Sequence, residues 1–354
     1  MFTKFVSPCK GILLTGLSFL LLSCAYTSQP PSSLGAYDPQ FSLAIERGRN
    51  IVSPLIRRGA GVSVAVGVDG KLVWSEGFGF TSLDGNEQIK PYYQFRIYSL
   101  MKQITAVMAL QSVLQGELSF STPATDVIPG LPERFADVTL LHLITHTSGV
   151  RHYHHPEEAV FFNHCVSAQD GLPLFVNDQL LHTPGETESY STYGFVLASA
   201  MLENATNSTF DSLVEERISE PAGIGTLQLE TRHSKASTMS FYDVDEDGRT
   251  SEALPVDNSC KMGGGGFVAS AEDVVRFHNA VLNGNLVPEP AIRQLLGSRN
   301  SLEAGGGGVG AQAVSIVDLD SRVSVVILSN TSGLEQQIAL NRARGLLLDI
   351  FSEG

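Results

Sequence analysis

Positive charge is in short supply in this chain. Lys and Arg together number 23 against 37 Asp and Glu, a formal net charge of −14, and no basic patch reverses that balance, which argues against nucleic acid or an anionic membrane surface as an electrostatic partner. Cysteine is also scarce, with four in 354 residues, far below the density of a disulfide scaffold. Internal repeats and low-complexity blocks are absent, so solenoid and disordered classes fall away. The longest apolar run near the start, residues 11–22, is too short for a comfortable transmembrane helix. Glycine runs at 263–266 and 305–308 are not followed by Gly-Lys-Ser/Thr and are not phosphate loops. What remains is ordinary globular composition, 43% hydrophobic and 17% charged, long enough for one large domain or two intimate ones.

The ends carry their own signals. Lys4 and Lys10 precede the apolar run, so residues 1–24 read as a secretory signal. Its ending, Leu21-Leu22-Ser23-Cys24, resembles a bacterial lipobox in which Cys24 would be lipidated and become the new N-terminus. Cleavage after Ala25, with Ser23 and Ala25 as the small residues, is the rival reading. Either predicts export, to the periplasmic face of a bacterial membrane through a lipid anchor or into the medium. Residues 25–40, rich in Ser, Pro and Gly, are expected to be a tether. Setting aside Cys9 and Cys24 leaves Cys165 and Cys260, which fit either one disulfide or two buried thiols.

Periodicity outlines the elements. Residues 38–58 suit an amphipathic helix, and Val62, Val64, Val66 and Val68 alternate before Asp69-Gly70 and Leu72-Val73-Trp74, a hairpin pattern. A core helix is expected from Ser99 to Gly116. Short helices and loops follow from about 120 to 225, then strand patterns at 226–229 and 241–255, a helix at 271–282, a second hairpin at 314–328 and a closing helix at 334–351. Hairpins at both ends of the chain cannot form parallel βαβ units. The expectation is one antiparallel sheet from N- and C-terminal strands, covered by terminal helices, with a helical insertion over 120–225.

The chemistry centres on Ser99 and Lys102. In a helix starting at Ser99 the two would share a face with Cβ atoms about 5–6 Å apart, within reach of a proton transfer. A serine hydroxyl needs a base, and a lysine supplies one when burial or other cations lower its pKa. The pattern alone is weak, since Ser7-Pro8-Cys9-Lys10 repeats it. His152, His154, His155, His164 and Cys165 invite a metal reading, but their spacing matches no closed zinc pattern. Residues 243–248 look like the start of a calcium loop, yet the twelfth position is Leu254 rather than glutamate, so a polar turn is expected. His146 is expected to order its loop by hydrogen bonding.

Ser99-Leu100-Met101-Lys102 stands in order with Leu141-His142-Leu143-Ile144-Thr145-His146-Thr147-Ser148-Gly149, with Tyr190-Ser191-Thr192 after Pro184-Gly185, and with Gly263-Gly264-Gly265-Gly266-Phe267. Through these four motifs, residues from about 41 to 354 resemble the penicillin-recognising serine hydrolases of class C β-lactamase and D-Ala-D-Ala carboxypeptidase type. Gly149-Val150-Arg151-His152-Tyr153 is similar to the mitochondrial serine β-lactamase-like subgroup. The resemblance implies an α+β, β-lactamase/transpeptidase-like fold with an antiparallel sheet flanked by helices and a helical domain beside it. It implies a small-molecule or peptide substrate, a β-lactam, D-amino-acid peptide or ester, handled through an acyl-serine with no cofactor and no metal. Ser99 would be the nucleophile, Lys102 its proton acceptor, Tyr190 a general base or proton shuttle, and the N–H groups of Ser99 and Gly307 an oxyanion hole. Thr192 stands where Asn is usual, and Ala304-Gly305-Gly306 stands where relatives carry Lys-Thr-Gly or His-Thr-Gly. Thr192, Gly305 and Gly306 would then meet substrate, but the cation is missing at Ala304. An inactive or weak binding lipoprotein that keeps the fold is the alternative.

Overall fold

The computed structural model describes residues 32–56, 61–232 and 239–353. The expected signal 1–24, its lipidation site Cys24 and the first part of the expected tether lie outside the described residues. The main sheet has six strands: β1 (Ser32–Tyr37), β2 (Val62–Val68), β3 (Lys71–Phe78), β9 (Ser301–Gly308), β10 (Ala311–Asp318) and β11 (Val323–Ser329). Their order is β1-β3-β2-β11-β10-β9, and every pairing is antiparallel. N- and C-terminal strands thus meet at the sheet centre, where Val66 lies opposite Val325.

Both faces of this sheet are covered, and the alternation of side chains along a strand feeds two cores. Val64 and Val66 of β2 and Val325 and Ile327 of β11 enter one core with Trp74, Leu340, Leu347 and Phe351. Ala65, Val326 and Leu328 enter the other. Helices α1 (Ser42–Val52) and α5 (Leu334–Ser352) close the first face, and α4 (Ala271–Leu282) packs on β2, β3 and β11 from the second. The single Trp of the chain, Trp74, is fully buried, stacks on Phe351 with ring centroids 6.1 Å apart and donates Nε1–H to Glu76 at 3.0 Å. Each side chain of this size removed from water adds about 1.5–3 kcal/mol.

The remaining strands serve the second layer. A short sheet pairs β4 (Phe95–Arg96) and β5 (Gln228–Leu229) on either side of β8 (Phe267–Ala269), and β6 (Tyr242–Val244) with β7 (Thr250–Glu252) forms a hairpin. The acidic stretch 243–248 closes β6 and forms the turn of that hairpin, with the Asp245 carboxylate accepting the Arg249 N–H at 2.7 Å. Between β4 and β5 there is no strand. That span holds the two long buried helices α2 (Met101–Leu114) and α3 (Thr192–Thr206), which pack on each other.

Three expectations change. The tether reading fails from Ser32 onward: although Ser-Ser-Leu-Gly-Ala-Tyr has turn-like composition, it adds to the free edge of β3. There the Ser32 hydroxyl donates to the buried Glu76 carboxylate at 2.7 Å, and the Ala36 N–H donates to the Ser75 hydroxyl at 2.7 Å. Gly35 permits the approach, since a Cβ there would sit 2.4 Å from Ser75 Oγ. The first helix is shorter than 38–58, ending at Val52 before a 3-10 turn, Ser53–Leu55, that contains Pro54, whose nitrogen cannot donate to a helical carbonyl. The core helix begins at Met101, and Ser99 lies in the 3-10 turn before it, Tyr98–Leu100.

Cys165 and Cys260 are bonded to one another, which resolves the choice between bridge and free thiols and ties the helical insertion to the segment before β8. Replacing both by alanine should lower unfolding free energy by about 2–5 kcal/mol. Urea titration checks this, and a loss below about 0.5 kcal/mol would show that the bridge contributes nothing to stability.

Candidate active site

The site begins with a strained turn. Leaving β4, the chain passes through Tyr98 at φ +45°, a conformation that a bulky residue holds only when its surroundings enforce it. The enforcement is visible. Tyr98 Oη and Arg96 Nη1 both donate to the Val309 carbonyl at 2.8 Å, and Arg96 Nε donates to Glu230 at 2.7 Å in a buried ion pair. The strain thereby presents Ser99 to a cleft of about 670 Å³ lined by Tyr98, Ser99, Tyr190, Lys261, Gly305 and Gly307 among others.

Lys102 follows one turn later on α2. Its ammonium donates to Ser99 Oγ at 2.9 Å, to Thr192 Oγ1 at 3.1 Å and to the Gly264 carbonyl at 2.5 Å. Tyr190 Oη donates to Ser99 Oγ at 2.6 Å from the other side, and its ring centroid lies 4.9 Å from Lys102 Nζ. Burial lowers the Lys102 pKa, partly opposed by Tyr190. For Tyr190, burial pushes upward but is outweighed by the Lys102 charge and by hydrogen bonds to Lys102, Ser99 and Thr192, and the net direction is down. The pair therefore titrates as a unit, and either member can hold the proton that Ser99 gives up.

Two histidines fix the tyrosine. His146 Nδ1 accepts the Ser191 N–H at 3.1 Å and His152 Nδ1 accepts the Thr192 N–H at 3.2 Å. Their rings flank Tyr190, with centroids 4.6 Å and 5.1 Å from its own. Ser191 caps α3, accepting the Gly194 N–H at 2.8 Å while donating to the Arg151 carbonyl at 2.7 Å. Burial, followed by the Lys102 charge, pushes both histidines down to about 4. At neutral pH their Nδ1 atoms thus stay free to accept. His152, read from the sequence as a possible metal ligand, is spent on this backbone contact, and Cys165 of the same cluster is in the disulfide.

The far wall is β9, the edge strand. Gly305 and Gly307 open onto the cleft, while Gly306 points to the other side, where a Cβ would lie 2.4 Å from the Ile97 carbonyl and 3.0 Å from Ser99 N. Gly306 thus packs on the nucleophile turn. Thr192 also lines the cleft, but its side chain is nearly buried and its hydroxyl accepts from Lys102, so it helps to hold the lysine. Gly264 is pressed against α3, where a Cβ would sit 2.7 Å from Thr192 Cγ2 and 2.8 Å from its carbonyl oxygen. That closeness places the Gly264 carbonyl on Lys102.

A family model described as Beta-lactamase matches residues 49–349. The chain belongs to the beta-lactamase family. Serine beta-lactamase-like protein LACTB, mitochondrial, of Mus musculus is 28% identical over 335 residues, a match covering 73% of this chain and 60% of that protein. The chain therefore spans about three fifths of the length of that relative. Among solved structures, a penicillin binding protein from Bacillus halodurans aligns with TM-score 0.71 and 24% identity over 84% of this chain and 98% of its own. The D-amino acid amidase of Ochrobactrum anthropi SV3, complexed with L-phenylalanine amide, aligns with TM-score 0.76 and 18% identity over 88% and 99%. The fold is the β-lactamase/transpeptidase-like one that the sequence motifs imply. Serine hydrolases of this family act on β-lactams, D-amino-acid amides and esters.

Within that family frame, the sequence motifs brought Ser99, Lys102 and Tyr190 to one point and placed Gly305 and Gly307 beside them. His146 hydrogen-bonds as expected, though to the Ser191 N–H of a distant segment. Two contributions were missed. His152 acts on the Thr192 N–H, which no spacing rule announces. Lys261 lies beside Cys260 at the head of the glycine run, and only the fold turns it into the cleft.

The histidine clamp has a pH signature. In the unfolded chain these groups protonate near 6.5, in the folded chain near 4, so the stability tied to their neutral form is whole above pH 6.5 and drains as pH falls toward 4. The thermal midpoint should decline over that window more steeply in the wild type than in a His146→Asn/His152→Asn variant, whose amide oxygens keep accepting. Equal slopes in scanning calorimetry would remove the clamp from the explanation.

Proposed function

We propose that this chain is an exported serine hydrolase working through an acyl-enzyme on an amide or ester. The observation that carries the reading is the convergence of Tyr190 Oη at 2.6 Å and Lys102 Nζ at 2.9 Å on Ser99 Oγ. Once the Tyr190–Lys102 pair has lost one proton, as its lowered pKa values allow, Oγ bonds to the substrate carbonyl carbon, its proton passes to that pair, and the carbonyl oxygen gains negative charge. The N–H groups of Ser99 and Gly307 receive that charge, a role that needs no side chain and survives in a glycine-rich strand. The leaving amine or alcohol takes the stored proton as its bond to carbon breaks. Water repeats the sequence on the acyl-serine and releases the acid.

The signal-like residues 1–24 and the lipobox ending at Cys24 support a location outside the cytoplasm, with a lipid anchor on a membrane. Likeness to β-lactam, D-peptide and ester hydrolases supports the reaction class. A second reading, a binding lipoprotein with a weakened site, is favoured by one observation: Ala304 occupies the position of the cation that relatives aim at the substrate carboxylate.

Intact-protein mass spectrometry after treatment with a fluorophosphonate separates the two. Wild type should gain one phosphonyl group and lose fluoride, and Ser99→Ala should gain none. Absence of an adduct on folded wild type would favour the binding protein. Lys102→Met should slow acylation about 10³-fold and Tyr190→Phe about 10²-fold. Because both pKa values are shifted down, the labelling rate should rise with pH along a limb centred below the ordinary value near 10 of lysine and tyrosine. A limb at or above that value would show that neither group is the proton acceptor.

A further inference from the structure

We propose that Lys261 forms an anion-binding subsite in the Ser99 cleft, so that preferred ligands carry a carboxylate near the reacting carbonyl. This names the substrate class of the site and rests on the hydrolase reading above. Lys261 comes from the 3-10 segment Ser259–Gly264, not from β9, where relatives place their cation. The residue is 5% exposed and lines the cleft together with Ser99, Gly305 and Gly307.

Its ammonium is unusual in having no hydrogen-bond acceptor and no ion pair among the described residues. It rests instead against two aromatic rings, 4.9 Å from the Tyr98 centroid and 5.4 Å from that of Phe161. Rings give a cation a favourable floor, but they do not replace the hydrogen bonds lost on leaving water. Glu230 is the carboxylate whose charge it feels most, yet that group is already taken by Arg96 Nε at 2.7 Å and by Asn258 Nδ2. Of the carboxylates on the cleft wall, Asp243 accepts from the Gly310 N–H and the Ser332 hydroxyl, and Glu157 pairs with His155. Burial, joined by Arg96 and Lys102 and opposed by Glu230, brings the Lys261 pKa down to about 7. An anion arriving in the cleft would complete the missing shell and restore the charged form.

The subsite is also rigid. Cys260, the preceding residue, is bonded to Cys165, and the Cys165 N–H donates to Ser259 Oγ at 2.9 Å. On the other side the Gly263 carbonyl accepts from Thr105 Oγ1 at 2.9 Å and the Gly264 carbonyl from Lys102. A cation held this firmly loses little freedom when a ligand binds, which is how a single charge gains selectivity.

Calorimetry on Ser99→Ala, with 3-acetoxybenzoate and its neutral methyl ester as probes, tests the proposal without turnover. The acid should bind at least about tenfold tighter than the ester. That preference should vanish when Lys261→Met is added and return in part with Lys261→Arg. Equal binding of acid and ester to Ser99→Ala overturns the subsite even if every Lys261 variant misfolds, as does a preference that persists in a folded Lys261→Met. Parallel hydrolysis assays keep the two readings apart. Ser99-dependent cleavage of the methyl ester without an acid preference removes the subsite and leaves the hydrolase. A Lys261-dependent acid preference with no cleavage of either probe leaves the subsite in a binding protein.

Discussion

The Lys102 ammonium is the point on which the site depends. Its three donors reach the turn after β4 through Ser99, the start of α3 through Thr192 and the glycine run before β8 through Gly264. Removing an ammonium from water costs several kcal/mol, and hydrogen bonds to a charged group recover about 1.5–3 kcal/mol each. With all three made, the charge is held at modest net cost. With one missing, the lysine would seek solvent and the three segments would lose their common partner. The same desolvation that makes the residue expensive depresses its proton affinity, so the structural constraint and the chemical capacity have one cause.

Close backbone approach makes this geometry accessible. Glycines at 264 and 306 let α3 and the nucleophile turn come nearer to their neighbours than any Cβ would allow. Strain at Tyr98 is stored in the same turn and is held by Arg96, Glu230 and the Val309 carbonyl. Around it stand rigid supports: α2 and α3 behind, the six-stranded sheet to one side and the Cys165–Cys260 bridge at the edge of the insertion. Lys261 and Lys102 are both buried cations in one cleft, and they differ in what surrounds them. Lys102 is saturated by protein acceptors, whereas Lys261 has aromatic faces and an open side.

Loss of the cation at Ala304 illustrates how function tracks position in space more closely than position in a motif. Strand β9 keeps its place at the sheet edge, and Gly305 and Gly307 still line the cleft beside Ser99. The charge arrives from a different segment, one that the disulfide and the glycine run bring to the same cleft. Thr192 illustrates the converse. It occupies a motif position associated with substrate, yet its hydroxyl is turned to Lys102.

Hydrophobic period and turn chemistry were enough to read both hairpins, α4 and α5 and the split of the sheet between the chain ends, because those features depend on residues close in sequence. Ordered motifs were enough to gather Ser99, Lys102 and Tyr190, since each sits at the start of a helix that the sequence marks. The sequence could not assign Ser32–Tyr37 to a strand, because that segment gains its order from the free edge of β3 and from Ser75 and Glu76, more than 35 residues away. Nor could it pair Cys165 with Cys260, aim Lys261 into the cleft or press Gly306 onto the nucleophile turn. Each of these follows from where distant segments come to lie against one another, and only tertiary packing decides that.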